Sequence, residues 1–488
     1  MLWQGKFDRL FIGGEWVKPR RDGQIEVISP STEKVIATVA AASREDVDIA
    51  VAAARDAFDH GPWARLALQE RINVLKRVSA ALEEQLDLLA ELLTEEVGCP
   101  ITQSRTIQIP AALAILDSYI ELAQSYPFQT VRQSPTGAAL VVREPIGVVA
   151  AVIPWNTPVA SVMQKLGPAL LTGCSFILKP APETPLSAYW FAEAMEAAGL
   201  PAGVFNVLPA GREASEYLVS HKGVDKVAFT GSTETGRRIA SIAGQDLRRV
   251  TLELGGKSAA VVLDDADFDA VAEHLRLGSF RNSGQVCSLK TRVLVSERRM
   301  EELVDRLITM VRSMPVGDPH DPATQIGPVV SARQRGIVEN YIEVGRKEGA
   351  KLVLGGGRPA GLDRGWYVEP TIFTEVEPDM RLAQEEIFGP VLAVIAYRDE
   401  ADAIEIANNS RYGLSGSVFT ADVEHGLTLA RQIRTGAVEL NGNPLGSFAP
   451  VGGFKDSGIG RESGYEGFDA YVEVKSIGIP RDFASQLA

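Results

Sequence analysis

An α/β fold built on parallel sheets is the architecture this sequence predicts, and three observations predict it. From residue 146 onward, short apolar runs recur that are unbroken rather than alternating, as strands covered on both faces require. Stretches with helical periodicity separate these runs. Capping and turn residues stand at the junctions. With 488 residues, the chain has length for two or three domains, each with a substantial core.

The elements follow in order. Ser43-Arg44-Glu45-Asp46 has the form of a capping box and opens a helix carrying Val47, Ala50, Ala54 and Phe58 on one side. Leu75, Val78, Leu82, Leu86, Leu89 and Leu93 make a long helical stripe ending near Gly98, and such stripes are core faces. Residues 146–153 form an apolar strand followed by Pro154-Trp155-Asn156, and residues 175–178 form another leading into Lys179-Pro180. Thr184 offers an N-cap and Pro185 suits the first turn of a helix that ends near Gly199-Leu200-Pro201. Residues 204–208 and 224–229 supply two more short strands. A second α/β set has strands near 259–263, 291–295, 391–397 and 437–440, with helices around 299–311 and 401–408. The polar, Gly-rich stretch 354–365 reads as a surface turn region, and the main boundary falls near residue 254.

Composition excludes several function classes. The 49 Lys and Arg against 63 Asp and Glu give a net charge of −14, so no basic surface favours nucleic acid. Three cysteines, Cys99, Cys174 and Cys287, point to a reducing compartment rather than a disulfide scaffold. The opening residues lack a basic region followed by an apolar run, and no stretch approaches the ~18 uninterrupted apolar residues of a membrane span. The five histidines, His60, His221, His274, His320 and His425, have no ligand-like spacing, so no metal site is expected. The expectation is a cytoplasmic protein without nucleic-acid or membrane partners.

Three local patterns carry chemistry. Gly231-Ser232-Thr233-Glu234-Thr235-Gly236 follows a strand and opens a helix, where free amides receive an anion such as a pyrophosphate. It is neither a Walker loop nor the GxGxxG fingerprint, and a plain capped turn reads the same way. Glu253-Leu254-Gly255-Gly256-Lys257 sets a carboxylate beside two glycines, where a base has room to admit water, although a surface acid and a solvated lysine fit too. Gly284-Gln285-Val286-Cys287 places a thiol on a polar turn after Asn282 and Ser283. Activating it needs a favourable field or a nearby base.

Taken together these residues resemble the aldehyde dehydrogenase family. The matches are Pro154-Trp155-Asn156, Lys179-Pro180, Phe229-Thr230-Gly231-Ser232, the Glu253–Lys257 and Gly284–Cys287 motifs, Glu386-Ile387-Phe388-Gly389-Pro390 and Gly452-Gly453-Phe454-Lys455-Asp456-Ser457-Gly458. They run in the family's order over nearly the whole chain. The resemblance implies an aldehyde dehydrogenase-like α/β fold with a Rossmann-type NAD(P)-binding domain (1–123 and 146–253), a catalytic domain (254–468) and an oligomerisation segment (124–145 and 469–488) serving a homodimer or homotetramer.

The implied reaction oxidises a small-molecule aldehyde to the acid with NAD(P)+ and water. Cys287 attacks the carbonyl, Asn156 and the Cys287 amide stabilise the oxyanion, and Glu253 activates water against the resulting thioester. Cofactor contacts are implied for Ile153, Pro154, Trp155, Lys179, Gly231, Ser232, Leu254, Glu386 and Phe388. Thr157, Ala160, Ser161, Gln164, Val286, Ser288 and Leu445 are the pocket candidates, a set without the bulky aromatics of many aliphatic-aldehyde members. One departure bears on the cofactor: where many members carry a Glu that repels a 2′-phosphate, this chain has Pro182, so NAD is preferred while NADP stays open. Rival readings are a CoA-acylating semialdehyde dehydrogenase, against which Glu253 argues, and a non-catalytic protein of the same fold.

Overall fold

Two twisted sheets carry the chain, and the unbroken apolar runs are their strands. In the computed structural model, which describes residues 6–487, the first sheet has eight strands. Across it lie Glu15–Val17, Leu10–Ile12, Phe205–Val207, Ser175–Lys179, Val148–Val152, Lys226–Thr230, Arg249–Glu253 and Gly458–Ile459. The middle five are parallel. The chain begins this set at Val148–Val152, steps outward twice, then crosses back to Lys226–Thr230 on the other side. Such a reversal leaves a crevice outside the carboxyl ends of the two strands that flank it.

Alternation on the central strand shows why the apolar run is continuous. Val149 and Ala151 join the core under helices Leu68–Glu83, Ile109–Ala123 and Pro158–Thr172. Val148, Ala150 and Val152 join the opposite core with residues of Arg44–Asp59, Arg212–Ser220 and Thr233–Gln245. Both faces are covered, so every residue of the strand is buried.

Several local expectations hold and others shift. Ser43 and Asp46 form the capping box, with Ser43 N donating to Asp46 Oδ2 (2.8 Å) and Asp46 N to Ser43 Oγ (3.3 Å). The leucine stripe is two helices, Leu68–Glu83 and Leu86–Val97, closed by Gly98 at φ 82°. Thr184 does not cap the next helix: its hydroxyl donates to Trp155 O (3.2 Å), and the helix runs Ser187–Ala197. Buried Glu96 takes the capping role, accepting from Leu186 N at 3.0 Å. A carboxyl group from a distant helix outcompetes the local hydroxyl, which sequence periodicity does not register.

The second sheet has seven strands in the order Lys351–Leu354, Thr371–Thr374, Val391–Tyr397, Lys290–Ser296, Ser258–Val262, Gly416–Phe419 and Glu439–Leu440. All neighbours are parallel except the first pair. Lys351–Leu354, Thr371–Thr374 and Gly416–Phe419 were not expected, each being only four residues long. The chain passes from the first sheet to the second between Glu253 and Ser258. It later returns: Gly458–Ile459, expected within the catalytic region, pairs antiparallel with Arg249–Glu253 of the first sheet.

A third, antiparallel sheet joins Gln129–Ser134, Gly137–Pro145 and Val472–Ile479. Its last strand leaves Val474 62% and Ile477 43% exposed. Among the described residues one helical stretch, Ile101–Ala123, has the length and apolarity to cross a membrane, with mean hydropathy 1.2 over its most apolar window. Here Ile109, Ala112, Leu116 and Tyr119 are packed in the core shared with Pro158–Thr172.

Candidate active site

The crevice predicted by strand order is where the singled-out residues meet. Val148–Val152 runs directly into Ile153-Pro154-Trp155-Asn156, and Lys226–Thr230 into Gly231-Ser232. Opposite them stands the turn carrying Cys287. Asn282 (φ 52°), Ser283 (φ 56°) and Gly284 (φ 78°) are all left-handed, a strained conformation that persists only where surroundings impose it. They do so through many bonds. Gln103 Oε1 accepts from Asn282 N (2.9 Å), Ser283 Oγ donates to Gly327 O (2.8 Å), and Gln285 Nε2 donates to Asn282 O (2.9 Å). Asn282 Nδ2 donates to Asn156 O (3.1 Å), while Asn156 Nδ2 donates back to Gln285 O (2.8 Å). A side chain on Gly284 would run into the Gly389 carbonyl, so glycine is required there.

Close backbone approach explains the two glycines after Glu253. A Cβ on Gly255 would collide with Glu386 Oε2, and one on Gly256 would lie 2.6 Å from Cys287 O. The bare turn therefore lets Glu386 and the Cys287 backbone press against it, and Gly256 N donates to Glu386 Oε1 (3.0 Å). Lys257 is not a solvated charge: it is buried, and its Nζ has no partner.

Glu253 ends its strand with a carboxyl that is buried, and Oε1 is unpartnered beside Gly452. Burial, then the charge of Glu462, pushes it well above the ordinary carboxylate range; Lys165 and Arg461 pull the other way. Lys165 is sealed from solvent and donates to Glu462 Oε1 (2.7 Å) and Thr230 Oγ1 (2.6 Å). Sequence reading missed this pair, since Lys165 sits in a helix and Glu462 arrives from the far end of the chain. Cys287 is half-buried, and burial together with Glu386 and Glu253 pushes its thiol up to about 12. Without cofactor or substrate, Cys287 rests as the thiol.

The other side of the crevice suits a dinucleotide. Lys179 is buried, and burial lowers its ammonium to about 8 against the charge of Glu183. Its Nζ has no hydrogen bond or ion pair within the described chain and is not sealed from solvent, a donor free for ribose hydroxyls or phosphate. Ser232 caps Thr233–Gln245, accepting from Thr235 N (3.3 Å), which directs the helix's opening amides at the crevice. Leu254 packs where a Cβ on Gly236 would stand, allowing that helix to approach closely. The Trp155 and Phe388 rings meet edge to face, 5.3 Å apart, with Phe388 held at φ 57°. Burial lifts the Glu386 carboxyl to about 7, against the Gly256 amide and Lys257.

On the substrate side, helix Pro158–Thr172 is buried except at Ala160 and Gln164, an i,i+4 pair on one face. Thr157, half-buried, and Ser161 continue that face, their hydroxyls 3.3 Å apart. Val286 and Ser288 flank Cys287, both half-buried. Leu445 is 40% exposed on the loop after Glu439–Leu440.

Comparisons with known proteins agree with this geometry. A profile of the aldehyde dehydrogenase family matches residues 16–477. Geranial dehydrogenase of Castellaniella defragrans is 46% identical over 96% of this chain and 98% of its own length. A 3-succinoylsemialdehyde-pyridine dehydrogenase of a Pseudomonas species is 42% identical, over 96% of this chain and 98% of its own. The crystal structure of a Mycobacterium tuberculosis aldehyde dehydrogenase complexed with NAD+ superposes with TM-score 0.96 at 45% identity, covering 97% and 98% of the two chains. A mutant of aldehyde dehydrogenase C from Pseudomonas syringae, complexed with NAD+ and octanal, gives TM-score 0.94 at 40% identity over 97% and 96%.

Proposed function

This chain belongs to the aldehyde dehydrogenase family, as an NAD(P)-dependent enzyme oxidising aldehydes to carboxylic acids through a catalytic cysteine, and we propose that Cys287 is that cysteine, Glu253 its water-activating base and Asn156 its oxyanion donor. The observation that carries this assignment is the convergence, through Gly255 and Gly256, of Cys287, Glu253 and Glu386 opposite Asn156.

The chain's own groups divide the work. Cys287 Sγ bonds to the aldehyde carbon as its proton passes to solvent water, the C=O π bond opens, and the carbonyl oxygen takes the negative charge. Asn156 has two amide hydrogens; one is spent on Gln285 O, which fixes the side chain and leaves the second for the oxyanion. Bound NAD(P)+ supplies the hydride acceptor that side chains lack. The product held on Cys287 is a thioester. Glu253, once ionised, takes a proton from water; the hydroxide adds to the thioester carbon, and the C–S bond breaks to release the acid and return the thiol.

For the cofactor, Lys179 holds the adenosine ribose, Ser232 and the opening amides of its helix the pyrophosphate, and Glu386 the nicotinamide ribose, with Phe388 and Trp155 packing at the nicotinamide end. Ile153, Pro154, Gly231 and Leu254 complete the contour. NAD is the preferred dinucleotide, supported by NAD+ in the two solved relatives described above; Pro182 leaves NADP as the alternative. The exposed strand Val472–Ile479 serves a homodimer or homotetramer, and the three free cysteines support the cytoplasm as the working compartment.

The test is reduction of NAD+ and NADP+ by the purified protein across short and long aliphatic, aromatic, terpenoid, amino and semialdehyde substrates, with and without CoA. CoA-independent reduction that Cys287→Ala abolishes, with NAD+ binding retained, is the expected result. Undiminished turnover in Cys287→Ala overturns the assignment.

A further inference from the structure

Lys257 closes a motif that stands out in the sequence, yet the reaction above makes no use of its charge. Its side chain is 2% exposed, and its Nζ has no hydrogen-bond partner within the described chain. Ser258, 4% exposed, follows with a hydroxyl that is also buried and unpartnered. Both line a small cavity, together with Arg292, Tyr412, Ser415 and Thr435. Leu414, 3.2 Å from where a Cβ on Gly256 would stand, completes the wall toward the Gly255-Gly256 turn.

No carboxylate among the described residues lines this cavity, while two cations do. Arg292, 2% exposed, is locked by three backbone carbonyls: Nε donates to Lys257 O, Nη1 to Ile406 O and Nη2 to Ala407 O, each at 2.9 Å. These bonds satisfy donors without cancelling the charge. A third cation, Lys455, feels Arg292, and its Nζ likewise donates only to carbonyls, Asn408 O (3.0 Å) and Ser410 O (2.9 Å). The two carboxyls that Lys257 feels are engaged elsewhere. Glu386 accepts from Gly256 N, and Glu385 pairs with Arg381 and accepts from Tyr341 Oη. Burial, then Arg292, lowers the Lys257 ammonium to about 7. An anion beside it opposes both effects, and buried cations ordinarily have such a partner.

We propose that this cavity is a binding site for a single halide ion, chloride in the cell, held by the Lys257 ammonium, the Ser258 hydroxyl and the Arg292 guanidinium. Its volume, about 10 Å3, admits one particle of water size, which shuts out sulfate, phosphate and carboxylates. Ammonium and guanidinium groups carry donors and no acceptor, so a water molecule there would satisfy hydrogen bonds but leave the charge standing. A halide does both. Bound there, it fixes the turn that presents Gly256 N to Glu386.

The experiment crystallises the full chain with bromide replacing chloride and collects diffraction data at the bromine absorption edge. In parallel, thermal unfolding is followed against chloride at constant ionic strength, balanced with gluconate, which is too large for the cavity. The expected results are an anomalous peak within hydrogen-bond reach of Lys257 Nζ and Ser258 Oγ, and a saturable rise in Tm of roughly 1–3 °C. Lys257→Met is expected to lose both. Ser258→Ala, which keeps the charge in place, should need several-fold more chloride for the same rise. A cavity that holds water and gives no anomalous peak overturns the proposal. So does a bromide peak that survives Lys257→Met at full height. A chloride effect that never saturates, or that is equal in wild type and both variants, also overturns it, since that is the signature of general salt screening.

Discussion

Glu253 has to be ionised to activate water, yet burial and Glu462 hold its proton on, so Lys165 becomes the group on which the hydrolytic step turns. At 2.7 Å, the Lys165–Glu462 pair carries about 6 kcal/mol of Coulomb attraction at an effective dielectric near 20. Desolvation of two sealed ions offsets most of that, so the pair adds little net stability. Breaking it by removing one partner is a different matter and costs ~3–5 kcal/mol, because a buried charge is left behind. Lys165→Met and Glu462→Gln are each expected to lose about that much in urea unfolding, and the double substitution much less than their sum.

The kinetic consequences have opposite signs. Lys165→Met removes a cation that pulls Glu253 down, so the acid limb of thioester hydrolysis moves to higher pH. Glu462→Gln removes an anion that pushes Glu253 up, so the limb moves lower. A shift of ~1 unit in either direction changes the rate about tenfold below the limb. Rapid-mixing measurement separates the first turnover from steady-state hydrolysis and reads the limb directly. Limbs that both stay in place, or that move the same way, refute the electrostatic account of Glu253.

Other consequences are as direct. Gly284→Ala places a methyl against the Gly389 carbonyl at φ 78°, and should cost ~1–2 kcal/mol for the backbone conformation alone. Because Cys287 sits at the end of that turn, kcat should fall at least tenfold with cofactor affinity retained, as titration calorimetry would show. Glu96 is held neutral by burial up to about 8, while the unfolded chain ionises it from about 4.5. Its contribution to stability therefore falls as pH rises between those values, by about 1.4 kcal/mol per unit. Glu96→Gln keeps an acceptor for Leu186 N and should flatten that slope in unfolding curves taken from pH 5 to 8. Lys179→Met should raise KM for the dinucleotide at least tenfold with little change in kcat, because the lysine acts on binding alone. Val474→Asp with Ile477→Asp should shift the particle to smaller mass in light scattering if the exposed strand is the interface.

Residue types and their local order were enough to read a doubly covered sheet, the helix opened by Ser43 and the crevice motifs after Val152 and Thr230. Each of these is a local property: unbroken apolar runs, a cap three residues from its acid, a polar turn around a thiol. The Glu253 and Cys287 motifs stood out locally as patterns that could carry chemistry, but their roles, and those of Asn156 and Lys179, followed from the resemblance to the aldehyde dehydrogenase family. What only the folded chain decided is long-range. Glu96 displacing Thr184 as a helix cap, Lys165 meeting Glu462, and Gln103 pinning Asn282 all join residues distant in sequence. The glycines following Glu253 read as flexibility in the sequence, whereas the structure shows them to be spaces filled by Glu386 and the Cys287 carbonyl. Periodicity encodes which face of an element is buried, but pairing energies between buried charges depend on what the remainder of the chain brings to them.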